Sequence, residues 1–490
     1  MVATKFRWLL ALLVPAAVLA KDPSPDVRGF KAYELPEYTI VTHDESNARP
    51  IPRLAAQIQG ALARLLDRKE RVPASPTYVV LVPQSVWIRY LRPGQGLESE
   101  FVSAKFANYL LMNNGRDTSQ LGKSVFHEYS HWFLHTQVPG VQPLWFDEGL
   151  AEFVSTAEFR GAMVRLGELD SSWTSRGWIP LDTLFRLDKT SPEYRNLSTS
   201  GAVHQGSWAI VHRGLAGDAA FGKQMFAFLD ALNAQQPIDA AVQASFGVTA
   251  SELDKTIHAY LNPGYRYVAI DRFKELRLAV DPGPLQKLPR GRPMSELESL
   301  QIIADIMLAS GFNADRLPEV ADAVRRIAPD SAAEIALRMR IAARAGNDTA
   351  LNGLIAGIGA DETDAALLRG AGLALHERAA KTDREDLSTR ALELLDRAIA
   401  SRSDDAEAVW AHATLAARLK RDMQVAAERI AQLRVKLPAS PDLAQASALL
   451  HESSGESEMT RNALRDMQRL SKESRMSEWA KSRLEASAGR

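Results

Sequence analysis

The sequence feature that most restricts the fold is a pair of histidines with a glutamate between them, followed by a short acidic stretch. His127, Glu128 and His131 form the run HEYSH in a segment with helical periodicity, and residues four apart share one face of a helix. Both imidazoles can therefore reach one metal ion, with Glu128 placed to accept a proton from water. The run EGLAE, from Glu148 to Glu152, falls in a second predicted helix and supplies carboxylates nearby. The chain must therefore bring two helices together around one site.

The third ligand determines the class of metal site. A metzincin pattern requires Gly and His at two positions where this chain has Leu134 and Gln137, so that class is excluded. Glu148 is the natural alternative, because two imidazoles and one carboxylate form a catalytic zinc site with one open position. His135 is a rival ligand. It lies eight residues after His127, about 80° further around the helix, and we expect it to face the cleft or solvent.

Two further carboxylates flank the predicted ligand. Glu152 lies one helical turn after Glu148, where it can accept a hydrogen bond from the second ring nitrogen of His127 and fix its tautomer. A solvated helix charge is the alternative interpretation of Glu152. Asp147 is less constrained, and we expect it to cap the helix instead.

Two segments, 126–132 (FHEYSHW) and 143–153 (PLWFDEGLAEF), resemble the gluzincin metallopeptidases, which include thermolysin and the zinc aminopeptidases. The resemblance covers roughly residues 30–262 and is strongest to the bacterial peptidase MA-like families of exported proteins. It implies a thermolysin-like catalytic domain, Zn²⁺ as the cofactor and a peptide or protein as the substrate.

The resemblance also implies roles for individual residues. His127, His131 and Glu148 would be the zinc ligands, and Glu128 would be the general base that takes a proton from a zinc-activated water. A strand predicted at 106–112 would run along the cleft and pair with an extended substrate.

In gluzincins a Tyr or His on a later helix donates a hydrogen bond to the developing oxyanion. Residues 203–209 (VHQGSWA) resemble the later-helix motif of the MA-like families, in which a tyrosine often precedes Ser-Trp. His204 occupies that place, so the resemblance implies His204 as this catalytic donor, with Tyr194 as the alternative. We expect His212 to be a satisfied helix histidine.

The chain changes in composition after about residue 265. The earlier part mixes strand and helix patterns, whereas the later part is rich in Ala, Leu, Arg and Glu and repeats weakly at about 35 residues. The predicted fold class is α+β, with a gluzincin domain followed by an all-α domain of tetratricopeptide-like repeats. A generic helical bundle is the alternative for the second domain. The predicted boundaries are 1–20 for a signal peptide, 28–265 for the catalytic domain (28–115 α+β, 116–265 mainly helical), 266–294 for a linker and 295–490 for the helical domain.

Individual elements are also predicted around the motif. Strands are expected where β-branched and aromatic residues cluster between turn signals, and helices where apolar residues recur at helical spacing. The predicted strands are at 38–42, 77–82 and 106–112, and the predicted helices are at 54–66, 122–135, 144–156, 202–215, 220–231 and 251–261.

The first twenty residues predict export. Lys5 and Arg7 precede an apolar run of about a dozen residues that ends near Ala20, which indicates a cleaved signal peptide rather than a membrane anchor. The sequence has no cysteine, which excludes disulfides and thiolate metal ligands. Its formal net charge of −1 provides no global field to attract nucleic acid. We expect a periplasmic or extracellular bacterial protein with no membrane span after cleavage.

Two other functions fit the same sequence. The protein can be a scaffold that binds a protein partner through its C-terminal repeats, with a weak or inactive peptidase-like domain. It can also hydrolyse a non-peptide amide or ester. The intact HEYSH run and Glu148 favour an exported zinc metallopeptidase.

Overall fold

The computed structural model describes residues 25–68, 72–73, 75–91, 99–114, 118–168, 177–261, 275–281 and 286–488. The predicted signal peptide and parts of the predicted linker lie outside these residues. Within the described ranges, no helix is both long enough and apolar enough to cross a bilayer.

The strands of the described residues form a six-stranded mixed sheet and a smaller three-stranded sheet. They are β1 (Lys31–Glu34), β2 (Thr39–Thr42), β3 (Thr77–Val82), β4 (Ser99–Ser103), β5 (Asn108–Asn113), β6 (Glu158–Arg160), β7 (Met163–Leu166), β8 (Leu276–Ala279) and β9 (Arg292–Pro293). The large sheet has the order β4-β5-β3-β2-β1-β9, and the small one has the order β6-β7-β8. In the large sheet β2, β3 and β5 are parallel, whereas β4, β1 and β9 pair antiparallel with their neighbours. Its edge strands are therefore β4 and β9.

Helices of the N-terminal part pack against this sheet or form the region around HEYSH. They are α1 (Glu45–Ala48), α2 (Ile51–Leu65), α3 (Gln84–Val86), α4 (Thr118–Gln137), α5 (Leu144–Ser155), α6 (Leu181–Leu184), α7 (Pro192–Arg195), α8 (Leu197–His212), α9 (Ala219–Asn233), α10 (Ile238–Phe246) and α11 (Ala250–Leu261). Two short π-helical segments occur at Trp87–Leu91 and Arg213–Gly217.

After β9 the described residues are helical. The helices are α12 (Glu296–Ser310), α13 (Leu317–Ile327), α14 (Ala332–Ala345), α15 (Asp348–Ala356), α16 (Ala365–Thr382), α17 (Glu385–Ser401), α18 (Ala406–Leu419), α19 (Met423–Lys436), α20 (Pro441–Ser453), α21 (Ser457–Leu470) and α22 (Ser474–Ala488), with a 3₁₀ turn at Ala314–Arg316. The chain is thus mixed α/β with a large helical C-terminal region, which is compatible with the predicted α+β class.

Helices cover both faces of the large sheet. Val79 and Leu81 of β3 pack on one side with α2 and α4, whereas Val80 and Val82 pack on the other side with α12 and α13. Successive residues of a strand point to opposite faces, so a strand covered on both sides is apolar throughout. The helices α12 and α13, which begin the predicted C-terminal domain, therefore form a layer on the N-terminal sheet. In the same way β9, within the predicted linker, extends that sheet beside β1.

From α14 onward the helices form a stacked array. Most consecutive helices pack together, and α14, α16, α18 and α20 also contact one another in series. The last three of these begin at capping residues: Asp364, Asp405 and Ser440 each accept a backbone N–H at the helix start. The array then returns to the N-terminal part, where the amide of Gly140 donates to the carbonyl of Arg469 at 2.8 Å.

Candidate metal centre

Three helices of the N-terminal part build the candidate site. α4 carries His127 and His131 on one face, α5 carries Glu148, and α8 packs closely against α5. Gly149 permits this close packing, because a Cβ atom at that position would lie 2.4 Å from the carbonyl oxygen of Ser207. A side chain there would push α8 away from the helix that carries the carboxylate.

The predicted ligand atoms form a compact triangle, which we call the metal triangle. The Nε2 atoms of His127 and His131 are 3.2 Å apart, and Oε2 of Glu148 lies 3.6 Å from each. Tetrahedral coordination with metal–ligand distances near 2.0–2.1 Å separates the ligand atoms by about 3.3–3.4 Å. Oε2 of Glu148 is buried and accepts no hydrogen bond, as expected of a ligand atom. These three residues can therefore hold a metal ion.

Asp147 orients one ligand, a role that the sequence analysis missed. Its Oδ1 lies 2.6 Å from Nδ1 of His131, and its Oδ2 lies 3.1 Å from Nε2 of His135. The predicted capping role is wrong, because the cap position of α5 is Pro143 and the carboxylate of Asp147 turns inward to α4. This contact directs the other nitrogen of His131 to the metal triangle. His135, expected to face the cleft or solvent, is largely buried against the same carboxylate. Lys189 adds a cation 3.3 Å from Oδ2.

Glu152 lies beside the metal triangle but does not make the predicted hydrogen bond. Its Oε2 is 3.9 Å from Nδ1 of His127, which is beyond hydrogen-bond distance. Its Oε1 is instead 3.0 Å from Nδ1 of His204. The physical reason is that α8 brings His204 between the two helices, closer to this carboxylate than His127 lies.

The residues predicted to act on a substrate share one cleft with the metal triangle. Glu128, which is 3% exposed, lines this cleft together with Tyr194 and His204. The hydroxyl of Tyr194 donates to Oε1 of Glu148 at 2.7 Å, and its ring stacks on that of His204 with centroids 6.0 Å apart. The structure therefore brings together a metal triangle, a buried carboxylate and two candidate donors.

His212 lies apart from this cleft, as expected of a satisfied helix histidine. Its Nδ1 is 2.8 Å from the hydroxyl of Tyr260, and its ring stacks on Trp208 with centroids 4.5 Å apart. It is fully buried.

Strand β4 forms one wall of the cleft through Ser99, Glu100 and Phe101. The ring of Phe101 stacks on that of His131, with centroids 6.3 Å apart. The prediction that the strand at 106–112 runs along the cleft was wrong. That strand is β5, which lies inside the sheet between β4 and β3. The polar run SEFVS of β4 has little strand signal, yet it pairs along β5 and takes the edge position beside the cleft.

Carboxylates control the electrostatics of the site. Burial by itself lowers the pKa of an imidazole, but the nearby carboxylates of Glu148, Glu152 and Glu128 raise the pKa of His127 to about 10. The pKa of His131 is raised in the same sense, because nearby carboxylate charges outweigh its burial. Burial by itself raises the pKa of Glu148, but the surrounding imidazoles hold it well below its usual range. The imidazoles and carboxylates of the site therefore stabilise each other's charged forms.

Comparison with known proteins finds no match to this chain among protein-family models, curated proteins or solved structures. The interpretation of the site therefore rests on its own geometry. That geometry combines three converging ligand atoms, a buried carboxylate next to them and an accessible cleft in front.

Proposed function

We propose that this protein is an exported zinc metallopeptidase, with Zn²⁺ held by His127, His131 and Glu148. The observation that carries the proposal is the metal triangle, whose ligand atoms are separated by 3.2 to 3.6 Å and which opens onto the cleft. Two imidazoles and one carboxylate are the ligand set of catalytic zinc sites, whereas structural zinc sites are rich in cysteine, which this chain lacks. Export is supported by the N-terminal sequence pattern.

Glu128 is the proposed general base. Bound zinc supplies Lewis-acid chemistry, which lowers the pKa of water and polarises a carbonyl group. Glu128 follows His127 on α4 and lines the cleft, so its carboxylate can accept the proton of an attacking water. The same group can return that proton to the leaving amine of a peptide.

His204 is the proposed donor to the oxyanion, with Tyr194 as the alternative. Burial lowers the pKa of His204, but the nearby carboxylates of Glu148 and Glu152 raise it above its ordinary value. A protonated imidazole at the cleft is a suitable donor for developing negative charge. Tyr194 already donates to the carboxylate of Glu148. This difference supports His204 as the donor and Tyr194 as a residue that orients the ligand carboxylate.

The variant Glu128→Gln tests this proposal. It leaves all three ligands in place, so we expect about one zinc per chain, as in the wild type. Peptide hydrolysis should fall by about 10²- to 10⁴-fold, because the general base is lost. Elemental analysis measures the zinc, and mass spectrometry of a digested peptide library, with amide and ester substrates in parallel, measures cleavage.

Glu158→Gln is the matched control. Glu158 lies on β6, where it pairs with Arg165 and is half-exposed, so its replacement should change neither zinc content nor cleavage. Equal cleavage by the wild type and Glu128→Gln would contradict the proposal. Hydrolysis of esters or amides but of no peptide would contradict the peptidase assignment while leaving the metal site intact.

A further inference from the structure

The turn that joins β4 to β5 packs against the helical array. The amide of Ala104 donates to the carbonyl of Ala107 at 2.8 Å, which closes a tight turn with Lys105 and Phe106 at its end. We call these two residues the hairpin tip. Phe106 packs against the hydrophobic core of the array rather than against the core of its own sheet. The hairpin tip therefore packs with the C-terminal helices.

Alternate helices of the array hold the hairpin tip. Nζ of Lys105 lies 3.5 Å from the ring centroid of Trp410 on α18 and 3.2 Å from Oδ1 of Asp442 on α20. The ring of Phe106 lies 6.4 Å from that of Trp410, and the ring of His376 on α16 meets the same indole at 5.1 Å. A cation over an aromatic ring and beside a largely buried carboxylate is held more firmly than a surface ion pair.

The other end of the same hairpin is the wall of the cleft. β4 pairs with β5 from Ser99 to Ser103, and its residues Ser99, Glu100 and Phe101 line the cleft. β4 is an edge strand with ladder hydrogen bonds on one side only, and such strands open locally more easily than central ones. The contacts at the hairpin tip can therefore influence the position of β4 at the cleft.

We propose that docking of the hairpin tip in the helical array positions β4 at the cleft, so that Lys105 and Trp410 are positioning residues for substrate binding. Lys105 follows the last residue of β4 by two positions, and Phe101 is four residues from it along an extended chain. Release of the tip therefore moves the strand that faces the metal triangle. The expected change in KM rests on the proposed function. The effect of the docked tip on β4 can be measured by hydrogen exchange without any activity.

The variant Lys105→Ala tests the inference in the full chain. It removes the cation from Trp410 and Asp442 but keeps the turn and Phe106, and Lys105 is a turn residue whose side chain is 37% exposed. We expect hydrogen exchange of the amides of β4 to accelerate by about five- to tenfold. We expect KM for a cleaved peptide to rise by about the same factor, with a smaller change in kcat. Zinc content and exchange in α4 should stay unchanged.

Two further variants separate positioning from general stability. Lys105→Arg should restore slow exchange and the wild-type KM, because a guanidinium keeps the charge and stacks on the indole ring. Arg483→Ala is the matched control. It removes a guanidinium 4.4 Å from the ring centroid of Trp479 on α22, the same kind of contact at a different place in the array. This control should alter neither exchange in β4 nor KM.

The outcomes distinguish the two proposals. Unchanged exchange of β4 in Lys105→Ala would overturn the inference, whatever the activity. Faster exchange with an unchanged KM in an active enzyme would overturn the positioning role. Faster exchange of β4 in a protein whose wild type cleaves no peptide would support the docking and contradict the proposed peptidase function.

Discussion

Buried imidazoles occur in two regions of this molecule, and their surroundings act on them in opposite directions. At the metal triangle, carboxylates outweigh the effect of burial and raise the pKa of His127 to about 10. In the helical array, burial, together with the cations Lys105 and Arg429, lowers the pKa of His376 and of His412 to about 4. The sign of the neighbouring charge, rather than the depth of burial, decides the outcome. The first region favours charged imidazoles, and the second keeps its imidazoles neutral in a packed interior.

Among the described residues, the two histidines that could share a metal ion are those that the carboxylate of Glu148 meets. In the array, Nε2 of His376 lies 3.1 Å from the hydroxyl of Thr414, and Nε2 of His412 lies 3.4 Å from a guanidinium nitrogen of Arg429. Neither arrangement offers a set of ligand atoms. Within the described part of the chain, the metal triangle is the group of three such residues whose ligand atoms lie within 4.8 Å of one another.

The variant Glu148→Gln should have the largest effect on the metal triangle. It removes the anionic ligand and reduces the negative charge around the two imidazoles. We expect zinc affinity to fall by more than about 100-fold, which exceeds the usual effect of a residue behind a ligand. Competition with a chromophoric chelator measures this affinity, and Glu158→Gln is again the control. Unchanged affinity would remove Glu148 from the ligand set.

The variant Asp147→Asn should have a smaller effect in the same direction. The amide oxygen can still accept a hydrogen bond from His131, but the negative charge behind the imidazole is lost. We expect zinc affinity to fall by about 10- to 100-fold, measured by the same competition. A loss as large as that of Glu148→Gln would contradict the assignment of Asp147 as an orienting residue rather than a ligand.

In the helical array, the lowered pKa of His412 predicts a loss of folding stability at acid pH. Its pKa is about 4 in the folded chain and about 6.5 when unfolded, so the unfolded chain binds more protons between these values. The contribution of His412 to the free energy of unfolding should therefore fall as the pH drops from about 6.5 to about 4 and then level off. His412 is 1% exposed, and its share of the loss at pH 4.5 should be about 2 kcal/mol.

Urea unfolding of the wild type and His412→Gln at pH 7 and pH 4.5 measures this effect. The variant should show a smaller loss of unfolding free energy on acidification, because glutamine does not titrate. His258→Gln, which replaces an exposed imidazole on α11, is the control and should behave like the wild type. An equal acid loss in the wild type and His412→Gln would contradict the lowered pKa.

The elements that carry the ligands were predictable because their signals are local. The strand predicted at 77–82 is β3, and the helix predicted at 144–156 is α5 to within one residue. The spacing within HEYSH places both imidazoles on one face of any α-helix, and α4 has that face turned to Glu148. That this chain is a gluzincin stays a prediction, which is based on these motifs.

The remaining features depend on contacts between distant parts of the chain, which leave no local signal. Asp147 lies in the first turn of α5, where acidic residues are common, and only the placement of α4 shows that it contacts His131. The partner of Glu152 depends on how closely α8 approaches α5. β9 is two residues long and pairs with β1 more than 250 positions earlier, so no periodicity could have indicated it. The docking of Lys105 on Trp410 is of the same kind.

The layer that α12 and α13 place on the sheet has a consequence for dividing this chain into smaller pieces. A fragment ending at residue 265, where the composition changes, would expose Val80, Val82 and Leu111 to water and leave β1 without its outer neighbour. A bare apolar face next to an unpaired strand is a combination that promotes aggregation. The smallest autonomous folding unit that contains the metal triangle therefore extends at least to Ile327, the last residue of α13.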